Sequence, residues 1–298
     1  MRRLAQYYVP AADEVYRLQS GNDPECQLFQ YVARQGHYAA KGGSQQGIYC
    51  IAPSGVLLAS INSTEAGPVA RTLQKGLEEW NKLPKARRLL PQDPSGWTGY
   101  LVRDERFYPV GGLVLRQYVR DLPHATLPND WRGKAWNQDI AWFRREEAVQ
   151  FIPSKFEVGA TSLLPNPLIR RLARAHLVDT VRGQSRAFSD SEIKMAYLKS
   201  TVTGVKGQTI EVRFDGETRA DSGSHGMALK LIGGAAYDLN AQKFTRFELV
   251  AAGNRWGGTQ YNYRGNDPPS PIGFAFTLAS TSQPDLLAPE LFGAYGWR

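Results

Sequence analysis

The chain has little of what most recognisable chemistries need. Its 298 residues include two cysteines, four histidines and three methionines. Two thiols cannot build a disulfide scaffold, and Cys26 and Cys50 form no CxxC pair, so dithiol redox chemistry on one helical turn is excluded. His37, His124, His176 and His225 show no metal-ligand spacing, and HExxH and paired-cysteine motifs are absent; no metal and no cofactor is expected. A serine nucleophile elbow needs GxSxG, and Gly183-Gln184-Ser185 lacks the second glycine. No apolar run approaches the roughly 18 to 20 residues of a membrane helix, and the first residues lack the apolar core of a secretory signal. As given, the chain reads as soluble and cytoplasmic, or as exported if a segment precedes Met1. With 42% hydrophobic and 21% charged residues it is an ordinary globular composition, sufficient for one large domain or two of common size.

What is there in excess is positive charge. There are 36 Lys and Arg against 28 Asp and Glu, a net +8. The excess is regional. Residues 1–81 carry 7 basic and 7 acidic side chains, residues 82–190 carry 18 and 11, and residues 191–298 carry 11 and 10. Arginine supplies 25 of the 36 cations, and its planar fork suits carboxylate or phosphate. Arg170, Arg171 and Arg174, with Arg144 and Arg145 beside Trp142 and Phe143, are therefore candidates for binding a polyanion. Solvation of a helix face explains the same charges, because arginine stems also cover apolar surface. No nucleic-acid module signature accompanies them.

The order of patterns predicts an α+β protein. Tyr7-Tyr8-Val9 reads as a short strand ended by Pro10, and Pro24 to Arg34 as a helix. Ile48 to Ala52 and Val56 to Ile61 flank Pro53-Ser54-Gly55, a hairpin signal. Ser63 or Thr64 is positioned to cap a following helix with Val69, Leu73, Leu77 and Trp80 on one stripe. Residues 82–99, with three prolines, read as a linker between a segment at 1–81 and a domain at 100–298. In that domain Leu113 to Val119 reads as a strand, Glu146 to Phe151 as a short helix after an aromatic cluster, and Pro167 to Asp179 as an amphipathic helix. Five strands follow in an antiparallel meander or open barrel: Ile193 to Thr203, Thr209 to Arg219, Met227 to Asp238, Phe244 to Ala252 and Ile272 to Ala279.

The hairpin Gln46-Gly47-Ile48-Tyr49-Cys50-Ile51-Ala52-Pro53-Ser54-Gly55-Val56-Leu57-Leu58, with the helix Thr64 to Trp80, resembles the end of a thioredoxin-like domain. Tyr7 to Asp13 is similar to the strand before that fold's third helix. The whole chain also resembles an uncharacterised bacterial family in which such a segment joins a β-rich domain carrying motifs like Phe247-Glu248-Leu249-Val250-Ala251-Ala252-Gly253 and Thr259-Gln260-Tyr261-Asn262. That family brings no activity to carry over. The match departs from thioredoxins in lacking CxxC and the proline before the hairpin strand, where Gln46-Gly47 stands. Either the first strand and catalytic helix are missing or a longer chain precedes Met1, and thioredoxin-type redox activity is lost.

Among candidate sites, Cys26 sits at a helix start, where a thiolate is favoured, whereas Cys50 lies in an apolar strand and reads as buried and inert. His176 falls on the inner side of its helix, and His225 in a turn by composition. Glu248 is a weak catalytic candidate, sharing a face with Phe244 and Arg246 by alternation, and an ion pair with Arg246 is the structural alternative. The densest polar aromatic run is Asn254 to Asp267. Arg255, Trp256, Gln260, Tyr261, Asn262 and Arg264 offer donors and stacking faces to a sugar, nucleotide or aromatic ligand, or else tie down a long loop. The leading expectation is a noncatalytic protein that binds a small molecule or protein through this loop. An enzyme of hydrolytic or redox type with a pocket at Glu248, Arg255 and Tyr261 is one alternative, and polyanion binding through the central arginines is another.

Overall fold

A computed structural model describes residues 2–11, 15–38, 43–89, 107–265, 267–279 and 288–297. The chain divides into two compact units, Met1–Tyr100 and Leu101–Arg298.

In the first unit, α1 (Arg2–Ala5), α2 (Val15–Ser20) and α3 (Pro24–Ala33) precede the hairpin of β1 (Ile48–Ile51) and β2 (Leu57–Ile61), and α4 (Ala66–Lys82) follows it. Asp23 caps α3 by accepting from the Cys26 N–H at 3.0 Å, and Pro24 occupies the first turn, where its missing N–H costs nothing. Cys50, Leu58 and Ala59 form a small core against Leu73 and Trp80 of α4. Three expectations change here. Tyr7 and Tyr8 close the turn after α1 instead of forming a strand, because the Tyr8 hydroxyl is anchored on the Leu73 carbonyl at 2.6 Å. The residue before α4 is Glu65, without a side-chain cap, while Ser63 accepts only from the Glu65 N–H. The first residues of the expected linker are folded: Lys85–Arg87 form a 3-10 turn, Arg88 lies over the Trp80 ring and Ser54 donates to the Arg87 carbonyl. Residues 90–99 of that linker, like Asp13 and Asn266, lie outside the described residues.

The second unit is built on one antiparallel eight-stranded sheet. Its strands are β3 (Leu113–Asp121), β4 (Trp136–Phe143), β5 (Thr161–Leu163), β6 (Ile193–Lys206), β7 (Thr209–Asp221), β8 (His225–Asp238), β9 (Lys243–Gly257) and β10 (Ser270–Leu278). They lie in the order β4-β3-β10-β9-β8-β7-β6-β5, an open sheet with β4 and β5 at its edges. The meander is thus continued by β3 and β4, which come from earlier in the chain. Phe274 on β10 opposes Ala251 of β9 on one side and Val119 of β3 on the other. Alternation decides the faces: Ile210, Val212 and Phe214 are buried while Arg213 between them is exposed. Gly207 supplies the left-handed residue (φ +58°) that the tight β6–β7 turn requires.

The inner face packs chiefly on α7 (Asn166–Ala175), whose Leu168, Ile169, Leu172 and Ala173 are buried, and on Ala148 of α6 (Arg145–Ala148), whereas α5 (Trp131–Lys134) buries none of its residues. Phe151, Phe214 and Phe247 meet there edge-on or tilted, 5.2 to 6.1 Å apart. Each such ring contributes about 2–3 kcal/mol through burial. The far side of β3 and β4 is covered as well: Val114, Ile140 and Trp142 pack with Phe292 and Tyr295 of the C-terminal segment. That double burial makes β4 unreadable by alternation, and it was missed as a strand. No helix among the described residues is long and apolar enough to cross a membrane.

Candidate functional site

The amphipathic α7 turns its apolar side to the sheet, and the arginines of its other side line an open cavity of about 930 Å³. Arg144, Arg170, Arg171 and Arg174 line it, with Glu147, Asp190, Tyr295 and Trp297. The four guanidinium groups are not equivalent. Arg171 is buried and donates to both Glu147 oxygens at 2.6 and 2.8 Å and to the Trp142 carbonyl at 3.2 Å, with the Tyr295 ring 4.5 Å away. Arg170 donates to both Asp190 carboxylate oxygens at 2.8 and 3.0 Å, and these bonds hold the Asp190 carboxyl below its ordinary pKa. It also reaches the Asp190 carbonyl, which fixes the 3-10 turn Asp190–Glu192 to α7. Arg174 gives its Nε to the Phe188 carbonyl at 3.0 Å, and its Nη groups meet no carboxylate among the described residues. Arg144 lies 4.4 Å over the Trp297 ring and likewise has no carboxylate there. Among the described residues four arginines face two carboxylates around this cavity, so positive charge is in excess there, with the Arg174 charge also acting on Asp190.

A second arginine cluster lies beneath the polar aromatic loop. Arg264 is fully buried, donating to Asp179 at 2.6 and 2.7 Å and to both Asp121 oxygens at 2.8 Å. Arg182 joins Asp121 at 2.8 Å and Asp267 at 2.5 Å, and Arg255 stands 3.5 Å from Asp267. Burial opposes ionisation of Asp121, but hydrogen bonds from Arg264 and the charges of Arg264 and Arg182 outweigh it and hold the carboxyl below its usual range. Burial, and then the neighbouring Arg264 charge, lowers Arg255. Three arginines face three aspartates, so the cluster is self-neutralised. Around it, the Asn262 side-chain oxygen Oδ1 accepts from the Thr259 and Arg264 backbone N–H groups at 3.0 and 3.3 Å. Ser185 donates to the Asp179 carbonyl at 2.7 Å. Gly183 is there because the Tyr261 carbonyl passes 2.1 Å from where a Cβ would stand.

The proposed loop ligands therefore separate. Arg255, Asn262 and Arg264 are buried in this network. Trp256 is half-buried, whereas Gln260 and Tyr261 reach solvent. The expected catalytic grouping of Glu248, Arg255 and Tyr261 does not assemble. Thr245 is the extra residue of a β-bulge, which sends Phe244 inward and Arg246 outward. Glu248 is consequently 67% exposed on the outer face, 3.6 Å from Arg246. Cys26 is completely buried, with its thiol 3.2 Å from Asp23 Oδ2, so the helix-start position gives no access to a substrate. Burial pushes the Cys50 thiol up, and neither cysteine is in a disulfide. His176 is buried with Nε2 2.5 Å from the Tyr295 hydroxyl and Nδ1 3.6 Å from Asp139. His225 begins β8, stacked on Phe188. No group of three or more metal-ligating side chains occurs among the described residues.

Sequence reasoning placed Arg170, Arg171 and Arg174 on one helix face, and all three line the cavity. It missed the partners Glu147 and Asp190, the ring of Trp297, and the carboxylates Asp121 and Asp179. Comparison of the chain with protein-family models, curated proteins and solved structures finds no significant match.

Proposed function

We propose that this chain is a noncatalytic binding protein whose α7 cleft takes an oxyanion-rich ligand, a polyanion. The observation that carries this reading is the pair of guanidinium groups, Arg144 and Arg174, that line an open cavity and form no ion pair with a carboxylate among the described residues. A guanidinium fork with free Nη groups matches phosphate, sulfate or carboxylate oxygens, and the aromatic wall keeps Arg144 in place. Arg170 and Arg171 contribute charge but are held by Asp190 and Glu147. The polar aromatic loop supports anion binding less, since its arginines are neutralised internally. Heparin affinity chromatography tests the reading. Arg144→Gln with Arg174→Gln should elute at clearly lower salt, each lost contact weakening binding by roughly tenfold, with the circular dichroism of the folded parent retained. Retention that is the same in the double variant would exclude the cleft.

For the N-terminal unit we infer a thioredoxin-like remnant without redox activity. The hairpin β1–β2 followed directly by α4 supports this, and so does the burial of both thiols. Titration of the native protein with a thiol reagent should find no fast-reacting cysteine; a fast Cys26 would overturn the redox part.

A further inference from the structure

Three aromatic rings are held out in solvent beside the buried arginine cluster. Trp131 is 56% exposed, Tyr261 60% and Tyr263 66%. Trp131 and Tyr263 stand almost perpendicular, at 83°, with centroids 5.8 Å apart. Tyr263 has φ +53°, a left-handed conformation that a bulky residue keeps only where its surroundings impose it. The surroundings here do impose it. Asn262 holds the backbone on one side, and on the other the Arg264 backbone is continuous with a guanidinium bound to two buried carboxylates. The Tyr261 carbonyl accepts from the Gln184 N–H at 3.1 Å and lies against Gly183. Trp131 is fixed as well: it opens α5, where Asp130 accepts from the Arg132 N–H at 2.8 Å, and Gly133 lets the turn pass close to the Pro128 carbonyl. A rigid, self-neutralised foundation thus presents three rings that are each more than half exposed, with Trp131 and Tyr263 packed edge to face on each other.

We infer that Trp131, Tyr261 and Tyr263 form a binding platform for a neutral carbohydrate chain. A pyranose has an apolar C–H face, which rests on an aromatic ring, and a rim of hydroxyls that need donors and acceptors. Both are present. The rings supply the faces, while the phenol hydroxyls and the Asp130–Arg132 pair supply polar groups. Asp130 cancels the charge of Arg132, so the rim attracts no anion and differs in this from the α7 cleft. The inference does not rest on the anion-binding reading.

The test is calorimetric titration of the full chain with cellohexaose, maltohexaose, laminarihexaose and mannohexaose, and with decaproline as the peptide control. At least one hexasaccharide should bind, and Trp131→Ala or Tyr263→Gly should weaken it by roughly tenfold or more while heparin retention stays unchanged. Glycine accepts the left-handed conformation, so Tyr263→Gly removes the ring and keeps the loop, and its circular dichroism should equal that of the parent. Silence from all four sugars at millimolar concentration, binding that survives both substitutions, or binding of decaproline alone each overturns the proposal.

Discussion

The two arginine clusters of the second unit are made of the same residue type and do opposite things. Arg182, Arg255 and Arg264 meet Asp121, Asp179 and Asp267 in a buried, balanced network, whereas Arg144, Arg170, Arg171 and Arg174 share, among the described residues, Glu147 and Asp190 around an open cavity. The difference teaches that a count of arginines says little about binding until each is set against the carboxylates within reach. A guanidinium enclosed by two carboxylates is a structural cross-link. One without a carboxylate, at the mouth of a cavity, is available to a ligand.

The comparison is broken most decisively at Arg264. Arg264→Met removes four hydrogen bonds and leaves Asp179 buried without a cation, so unfolding in urea should shift down by about 3–5 kcal/mol. A loss below about 1 kcal/mol would mean that the network does not anchor the fold. The pH dependence carries the same information with a definite sign. Asp121 has a folded pKa below its unfolded value of about 3.9, so its contribution is full above that pH and is lost as pH falls through the folded value. In Arg264→Met the carboxylates are buried with less compensation and gain from protonation. The stability gap between parent and variant should therefore narrow as pH falls from about 5 to about 3, and a gap that stays constant over that range would show that these carboxyls do not carry the effect.

How much of this was legible in the sequence follows from the range of each interaction. Ile210-Val212-Phe214 and Ile272-Phe274-Phe276 announce their strands because alternation is local, and Leu168, Ile169 and Leu172 announce α7 by helical spacing. Alternation fails for β4, where polar residues begin an edge strand and Ile140 to Phe143 are buried on both faces. The neighbouring of β3 and β10 is invisible, since nothing local pairs strands so far apart. The candidate site follows the same rule. The helix brings Arg170, Arg171 and Arg174 together, but Arg264 and Asp121 are 143 residues apart, and no spacing indicates that one buries the other. Arg144 meets Trp297 across an equally long separation. The polar aromatic loop looked like a single site; folding divides it into a buried cross-link and an exposed pair of tyrosines.

A gentler change sharpens the comparison from the other side. Asp190 is 66% exposed and pairs with Arg170, so Asp190→Asn should convert a compensated arginine into a partly free one. Heparin retention should then rise to a higher salt concentration, by a few-fold in affinity at most, with the unfolding midpoint where it was, because an exposed pair of this kind contributes little to stability. Weaker retention would imply that Asp190 orients Arg170 for the ligand rather than competing with it.

The smallest effect belongs to Glu248. Its partner Arg246 is 3.6 Å away, and both side chains are largely in water on the outer face of the sheet. The Coulomb attraction of such a pair is screened and offset by the entropy of holding two long side chains. Glu248→Gln should move the unfolding free energy by no more than about 0.5 kcal/mol. The substitution matters because it separates two meanings of a charge on a strand. If it costs well over 1 kcal/mol, the outer face is covered in solution and the pair is buried there. If it costs nothing, Glu248 is a solvating residue, and the carboxylates that matter in this protein are those whose guanidinium partners the fold brings from far along the chain.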